Sequence, residues 1–71
     1  MRIQVNCRDG ADPSSFWLGE KKLHVLRVLE RTAEDDQRRL RVRVADGREF
    51  VLRQHLESGE WTLAGVAPRA A

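Results

Sequence analysis

The chain has 71 residues, enough for one small domain but close to the lower limit for a core that has no disulfide or metal. Its single cysteine excludes an internal disulfide, and the lack of a long apolar run excludes a transmembrane helix. With 13 basic and 11 acidic residues, the net charge of +2 is modest for a protein that must neutralise several phosphates. The small size leaves dimerisation open.

Residues 1–8 alternate apolar and polar side chains, which is typical of a half-buried strand. We expect Cys7 on the buried face of this strand, where a reduced thiol would pack against the core. No signal-peptide pattern precedes the strand. These features favour a cytoplasmic protein, and no membrane partner is expected.

A turn-rich segment, residues 9–15, is predicted to end the first strand because Asp-Gly and Asp-Pro-Ser-Ser are typical turn sequences. A second strand begins at Phe16. Gly19 suits the first loop position of a tight primed turn, which sets Phe16 opposite Leu23. Trp17 then lies on the other face of the strand, where we expect it to be exposed.

Residues 21–31 fit either a strand or a helix, since their apolar side chains also gather at helical spacing. Three observations favour the strand: the Gly-Glu reversal needs a partner strand, Val28 lies off the helical stripe, and no N-cap residue precedes the segment. A bulge within residues 25–27 would then shift the alternation. In this arrangement Leu26 and Val28 lie on the outer face near Trp17.

The most sharply patterned stretch, residues 38–53, follows a polar acidic loop predicted at residues 32–37. It predicts a β-hairpin with a three-residue loop that ends at Gly47 in a left-handed conformation. This loop sets Val42 opposite Phe50 and keeps Leu40, Val42, Val44, Phe50 and Leu52 on one face. A two-residue loop would divide them between the two faces.

Arginine dominates the opposite face of this hairpin. Residues 38–53 hold six arginines against Asp46 and Glu49. Guanidinium groups on a solvent-exposed sheet can bind phosphates, and an exposed tryptophan can stack on bases. The alternative is a solvated strand face on which Arg43 pairs with Glu49. The candidate ligand-binding residues are Arg39, Arg41, Arg43, Arg53 and Trp17.

A turn at Ser58-Gly59 separates the hairpin from a last strand, residues 61–66. Its register is open, because loops of different length change the face that Trp61 takes, although burial in the core is favoured. Residues 67–71 are predicted to be a frayed tail.

The elements together predict one all-β domain, residues 1–66, built as a five- or six-stranded antiparallel meander that curls into a small roll or barrel. Its expected core consists of Ile3, Val5, Phe16, Leu18, Leu23, Val25, Leu40, Val42, Val44, Phe50, Leu52 and Leu63.

The order of motifs between Phe16 and Leu63 resembles a group of short, uncharacterised bacterial proteins, over roughly two-thirds of the chain. Their pattern is F-x-L-G, V-L-x-R, D-G-x-x-aromatic-x-L-R and W-x-L. Thr32 stands where that pattern has tryptophan, and Arg41 replaces an aromatic residue. The resemblance implies an all-β fold and no particular activity. The matching positions are Phe16, Leu18, Gly19, Val28, Leu29, Arg31, Val42, Asp46, Gly47, Phe50, Leu52, Arg53, Trp61 and Leu63.

Catalysis has little support in the sequence. His24 and His55 are the only imidazoles, and neither lies in a recognisable nucleophile or general-base motif. Paired cysteine or histidine spacings typical of zinc sites and a glycine-rich phosphate loop are both missing from the sequence. We therefore expect a non-enzymatic protein without a cofactor.

Two kinds of partner fit a binding or adaptor module. The first is a protein, because Leu26 and Val28 near Trp17 would form an apolar patch that a homodimer or a larger partner could cover. Edge strands of an open meander would offer backbone pairing to either. The alternative is a nucleic acid on the arginine stripe, whose binding would weaken steeply as salt rises.

Overall fold

The computed structural model describes residues 1–8 and 12–67, which form six antiparallel strands in a meander. The first and last strands pair, so the sheet closes into a barrel, as the all-β prediction allowed. No helix long and apolar enough to cross a membrane occurs in this described part. The strands are β1 (Arg2–Arg8), β2 (Asp12–Leu18), β3 (Lys21–Glu34), β4 (Gln37–Val44), β5 (Glu49–His55) and β6 (Trp61–Ala67).

The hairpin of β4 and β5 has the predicted register. Val42 pairs with Phe50 and Arg43 pairs with Glu49 across the two strands. Gly47 has a φ of 93°, a left-handed conformation that costs glycine little, and its amide donates to the Val44 carbonyl at 2.9 Å. The loop chemistry therefore sets the register of the two central strands.

Residues 21–31 form a strand, as favoured from the sequence, and the tight turn before them sets Phe16 opposite Leu23. The first four residues of β3 pair with β2, whereas those from Val25 onward pair with β4. The predicted bulge lies between Val25 and Arg27, and a second irregularity follows between Val28 and Glu30. These shifts let one 14-residue strand serve both halves of the barrel.

The core contains or contacts all twelve residues of the predicted core list. The rings of Phe16 and Phe50 meet edge to face, with centroids 5.4 Å apart. Trp61 is also buried, as favoured, because it pairs with Gln54 on the inward-facing side of β5. The buried apolar residues are Ile3, Phe16, Leu23, Leu40, Val42, Val44, Phe50, Leu52 and Trp61, and those packed against them are Val5, Leu18, Val25, Val28 and Leu63.

Cys7 does not lie in the core, contrary to its predicted burial; its side chain is exposed. The β1–β2 ladder shifts register between Asn6 and Cys7, and β1 pairs with β6 only through Arg2 and Ile3. Cys7 therefore lies beyond the closed part of the barrel. Alternation alone does not bury a residue whose strand has a paired neighbour on one side only.

Two predicted loops are wrong. Residues 12–15 belong to β2, where Pro13 and Ser15 are buried, because the register shift accommodates a proline that cannot donate to a regular ladder. Residues 32–34 extend β3, and the turn to β4 consists of Asp35 and Asp36 alone. Asp35 has a φ of 32°, near the left-handed region that aspartate tolerates better than most residues.

Two further predictions, a turn at Asp9-Gly10 and a tail at residues 67–71, fall wholly or partly outside the described residues. The predicted Asp9-Gly10 turn lies outside the described residues. Strand β6 includes Ala67, the first residue of the predicted tail, and residues 68–71 lie outside the described range as well.

The face assignment of β4 can be tested by substitution. We expect Val42→Asp to unfold the protein, because an unpaired carboxylate in the core costs several kcal/mol, comparable with the total stability of a small domain, about 5 kcal/mol. Arg41→Ala should remain folded, since Arg41 is exposed. Thermal unfolding followed by circular dichroism measures both, and an Arg41→Ala protein that melts like Val42→Asp would contradict the assignment.

Candidate anion-binding face

Strands β3, β4 and β5 share an outer surface that is rich in arginine. Since alternate residues of β4 are buried in the core, the residues between them point outward, together with their cross-strand neighbours. Five arginines and two glutamates lie there, which gives this surface a local excess of positive charge. We call it the arginine face, and its charged residues are Arg27, Glu30, Arg39, Arg41, Arg43, Glu49 and Arg53.

Glu49 is the centre of one half of the arginine face. Its carboxylate accepts hydrogen bonds from Arg41 Nε and Arg43 Nη2, both at 2.9 Å, and Arg41 Nη2 lies equally close. Only 5% of Glu49 is exposed although it points away from the core. The Arg43–Glu49 pair was predicted from the hairpin register, whereas the contact with Arg41 is a diagonal one that pairing alone does not reveal.

The two arginines hold the Glu49 carboxyl in its charged form. The hydrogen bond from Arg43 lowers the pKa of Glu49 below its ordinary value, and the bond from Arg41 acts in the same direction. Loss of solvent around the carboxyl opposes this shift without reversing it. Arg41 also approaches exposed Glu30 at 3.9 Å, a contact that adds little at a solvated surface.

The other half of the arginine face has no such carboxylate. Arg39 and Arg53 lie directly opposite each other on β4 and β5. Arg53 Nε donates to Thr62 Oγ1 at 3.4 Å, and the Arg39 side chain forms no hydrogen bond or ion pair with the part of the chain that is described. A depression of about 240 Å³ is lined by Arg39 and Arg41 together with Glu30, Thr32 and Val51. Like charges placed directly opposite each other destabilise a sheet.

Two further arginines of residues 38–53 lie elsewhere. Arg38 points inward at one end of the barrel, where its guanidinium lies 5.2 Å from the centroid of the Trp61 ring. Arg48 is in the hairpin loop and forms an ion pair with Asp46 at 2.7 Å.

Trp17 is separate from the arginine candidates. It pairs with Gln4 on β1 and Lys22 on the first part of β3, in the half of the barrel that the arginine face does not reach. Its side chain is half-buried rather than exposed as predicted, because Trp17 has a paired strand on each side, with Gln4 and Lys22 as its cross-strand neighbours. The structure thus unites the four arginine candidates on one face and places the tryptophan apart.

The predicted apolar patch is smaller than the sequence indicated. Leu26 is 65% exposed, but Val28 pairs with Val42 and packs against the core. Leu26 is the bulged residue of β3, so the alternation reverses after it and turns Val28 inward.

The histidines and the cysteine do not meet. His24 and Cys7 are exposed and His55 is half-buried. Within residues 1–8 and 12–67, no three histidine, cysteine or acidic side chains are arranged to hold a metal ion.

Comparison with known proteins gave no significant match to a family model, a curated protein or a solved structure. The resemblance to short bacterial proteins stays a prediction.

The charge state of Glu49 should make stability depend on pH. The pKa of Glu49 is lower in the folded chain than in the unfolded chain, where it is near 4.5. The charged carboxyl therefore stabilises the fold at pH values above 4.5. This stabilisation is lost as the pH falls through the pKa of the folded state. We expect Glu49→Gln to have a lower melting temperature than the parent at pH 7. This difference in melting temperature should become smaller below about pH 4.5.

A matched control for this measurement is Glu57→Gln, which changes an exposed loop glutamate without an ion pair among the described residues. Its melting temperature should follow the parent at every pH. If the melting temperatures of Glu49→Gln and the parent differ by the same amount from pH 7 to pH 3, the charge of Glu49 does not stabilise the fold as argued.

Proposed function

We propose that the chain is a non-enzymatic binding module that takes nucleic acid on its arginine face. The observation that carries the proposal is the pair Arg39 and Arg53, which lie opposite each other and form no ion pair with a carboxylate of the described residues. A fold selected only for stability gains nothing from this pair. A phosphate group between the two guanidiniums would replace their repulsion with charge-assisted hydrogen bonds.

The charge distribution supports the same ligand class. Nucleic acid is bound chiefly through its phosphates, by arginine and lysine side chains that displace condensed counterions. The basic residues of the arginine face lie on three adjacent strands, so they present a continuous surface rather than isolated charges. This local concentration supports binding although the net charge of the whole chain is only +2.

A protein partner or a homodimer is the second candidate. Leu26 supports it, since it is 65% exposed beside a depression that Arg8, Pro13 and Val25 help to line. A single large apolar side chain on the surface is common, however, and Val28 is not available to extend the patch. Association through Leu26 would persist as salt rises, whereas phosphate binding would weaken.

A cytoplasmic location belongs to the same proposal. The lone cysteine supports it, because an exposed free thiol suits a reducing compartment.

The test is a fluorescence anisotropy titration with a mixed pool of single-stranded and duplex oligonucleotides at low and moderate salt. We expect binding at low salt that weakens as salt rises. Arg39→Ala/Arg53→Ala should bind more weakly and lower the slope of log K against log salt by about 2, because each arginine that neutralises a phosphate contributes about 1 to that slope.

The control is Lys21→Ala/Lys22→Ala, which removes the same charge from two exposed residues outside the arginine face. It should retain most of the affinity and the salt slope. The absence of binding by the parent protein at low salt, or an equal loss in both double variants, would refute the proposal.

A further inference from the structure

One line of residues crosses the arginine face from strand to strand and continues beyond it. Arg39 pairs with Thr32 on β3 and with Arg53 on β5. Arg53 in turn pairs with Thr62 on β6, and Thr62 pairs with Arg2 on β1 across the closure of the barrel. Cross-strand partners share a face, so all five side chains point outward. We call this line the donor row: Thr32, Arg39, Arg53, Thr62 and Arg2.

Every member of the donor row can donate a hydrogen bond, and none carries a negative charge. Hydroxyl and guanidinium groups are the side-chain donors that commonly contact phosphate oxygens. Adjacent strands lie 4.7 to 4.9 Å apart, so the row spans about 19 Å of the barrel surface. That length suits several consecutive phosphates rather than one small anion.

The carboxylates near the donor row leave most of its donors available. Arg2 forms an ion pair with Glu60 at 2.9 Å, but both side chains are more than half exposed, so a phosphate can compete for Arg2 at little cost. The Arg39 side chain has no hydrogen-bond or ion-pair partner in the described chain, and Arg53 has only the long bond to Thr62.

Arg41 and Arg43, unlike the arginines of the donor row, are engaged by Glu49. Both are hydrogen-bonded to a carboxylate that is almost fully covered, and a ligand would have to displace those bonds to engage them. The same sheet therefore carries one arginine pair that shares a hydrogen-bonded carboxylate and one pair that forms no ion pair among the described residues.

The arginine face also lacks a platform for bases. The aromatic residues of β5 and β6, Phe50 and Trp61, are buried, and Trp17 lies in the other half of the barrel. Stacking on aromatic rings supplies much of the affinity of modules that bind unpaired bases. A surface without such rings is better suited to the phosphate backbone than to stacked bases.

We infer that the donor row binds the phosphodiester backbone of nucleic acid without contacting its bases, and that Glu49 withholds Arg41 and Arg43 from the ligand. This inference rests on the proposed function. The shared chemistry is a chain of phosphates, which inorganic polyphosphate also offers, so the experiment must separate the two sources.

The experiment compares four probes of equal phosphate number at low salt: a mixed-sequence single strand, an abasic single strand, a duplex and inorganic polyphosphate. The abasic strand should bind within about threefold of the mixed strand, because each base stacked on protein would be worth about 1–3 kcal/mol, roughly five- to 150-fold. The duplex should bind more weakly than the single strand, because the donor row crosses four of the six strand-to-strand steps of a closed barrel and a rigid duplex cannot follow that curve. Inorganic polyphosphate should bind no more tightly than the mixed single strand.

Variants of the protein assign the contacts. Thr32→Val and Thr62→Val keep the β-branched shape and remove only the hydroxyl, and each should weaken binding severalfold. Arg39→Ala/Arg53→Ala should lose more affinity than Arg41→Ala/Arg43→Ala. Glu49→Gln should bind more tightly than the parent, provided that circular dichroism shows it folded. If Glu49→Gln does not fold, the comparison of the two arginine double variants decides whether Arg41 and Arg43 contact the ligand.

The outcomes separate the two ideas. Failure of all four probes to bind would refute the proposed function together with the inference. Binding of the mixed strand but not of the abasic strand would retain the function and overturn the donor row as a backbone site. A greater loss in Arg41→Ala/Arg43→Ala would overturn the role of Glu49, and a clear preference for inorganic polyphosphate would overturn nucleic acid as the ligand.

Discussion

The pairing of Val42 with Phe50 decides which side of the barrel receives each side chain of the central strands. Both are fully buried, and the alternation of β4 and β5 follows from their position. A slip of one residue would exchange the two faces and bring arginines into the core. The three-residue loop that ends at Gly47 prevents this slip because it fixes the number of residues between the strands. The arginine face is therefore a direct consequence of the same turn that assembles the core.

The outward-facing arginines of this sheet have two kinds of electrostatic environment. Around Glu49, two guanidiniums share one carboxylate and screen it from water, so the cost of removing the charge from solvent is offset by several charge-assisted hydrogen bonds. Arg39 and Arg53 form no ion pair with a carboxylate of the described residues, although a glutamate in place of either one would form a favourable cross-strand pair. The Glu49 contacts show that this sheet can place a carboxylate beside its arginines. The fold therefore does not require that Arg39 and Arg53 lack an ion pair. A local departure from the most stable choice is typical of functional sites.

The sequence was most informative where structure depends on neighbouring residues in the chain. The hairpin register, the tight turn before β3 and its first bulge follow from alternation and turn chemistry, and so does the Arg43–Glu49 pair. Errors arose where the outcome depends on distant strands. Cys7 is exposed because β6 does not extend over it, and residues 32–34 remain in β3 because β4 pairs with them. The donor row could not be foreseen for the same reason: it requires the registers of β5 with β6 and of β6 with β1, which the sequence left open.

The closure of the barrel and the completion of the donor row are the same event. β1 and β6 are joined by a short ladder in which Ile3 pairs with Trp61, and the Leu63 amide donates to the Met1 carbonyl at 2.7 Å. The two apolar residues are buried, so their removal from water helps to hold β1 against β6. Their pairing also sets Arg2 beside Thr62 on the outer surface. Fraying of β1 would remove one end of the row while its central arginine pair, on the β4–β5 hairpin, stayed in place. A phosphate chain long enough to contact all five strands would bind the closed barrel better than the frayed one, and would therefore stabilise closure by mass action.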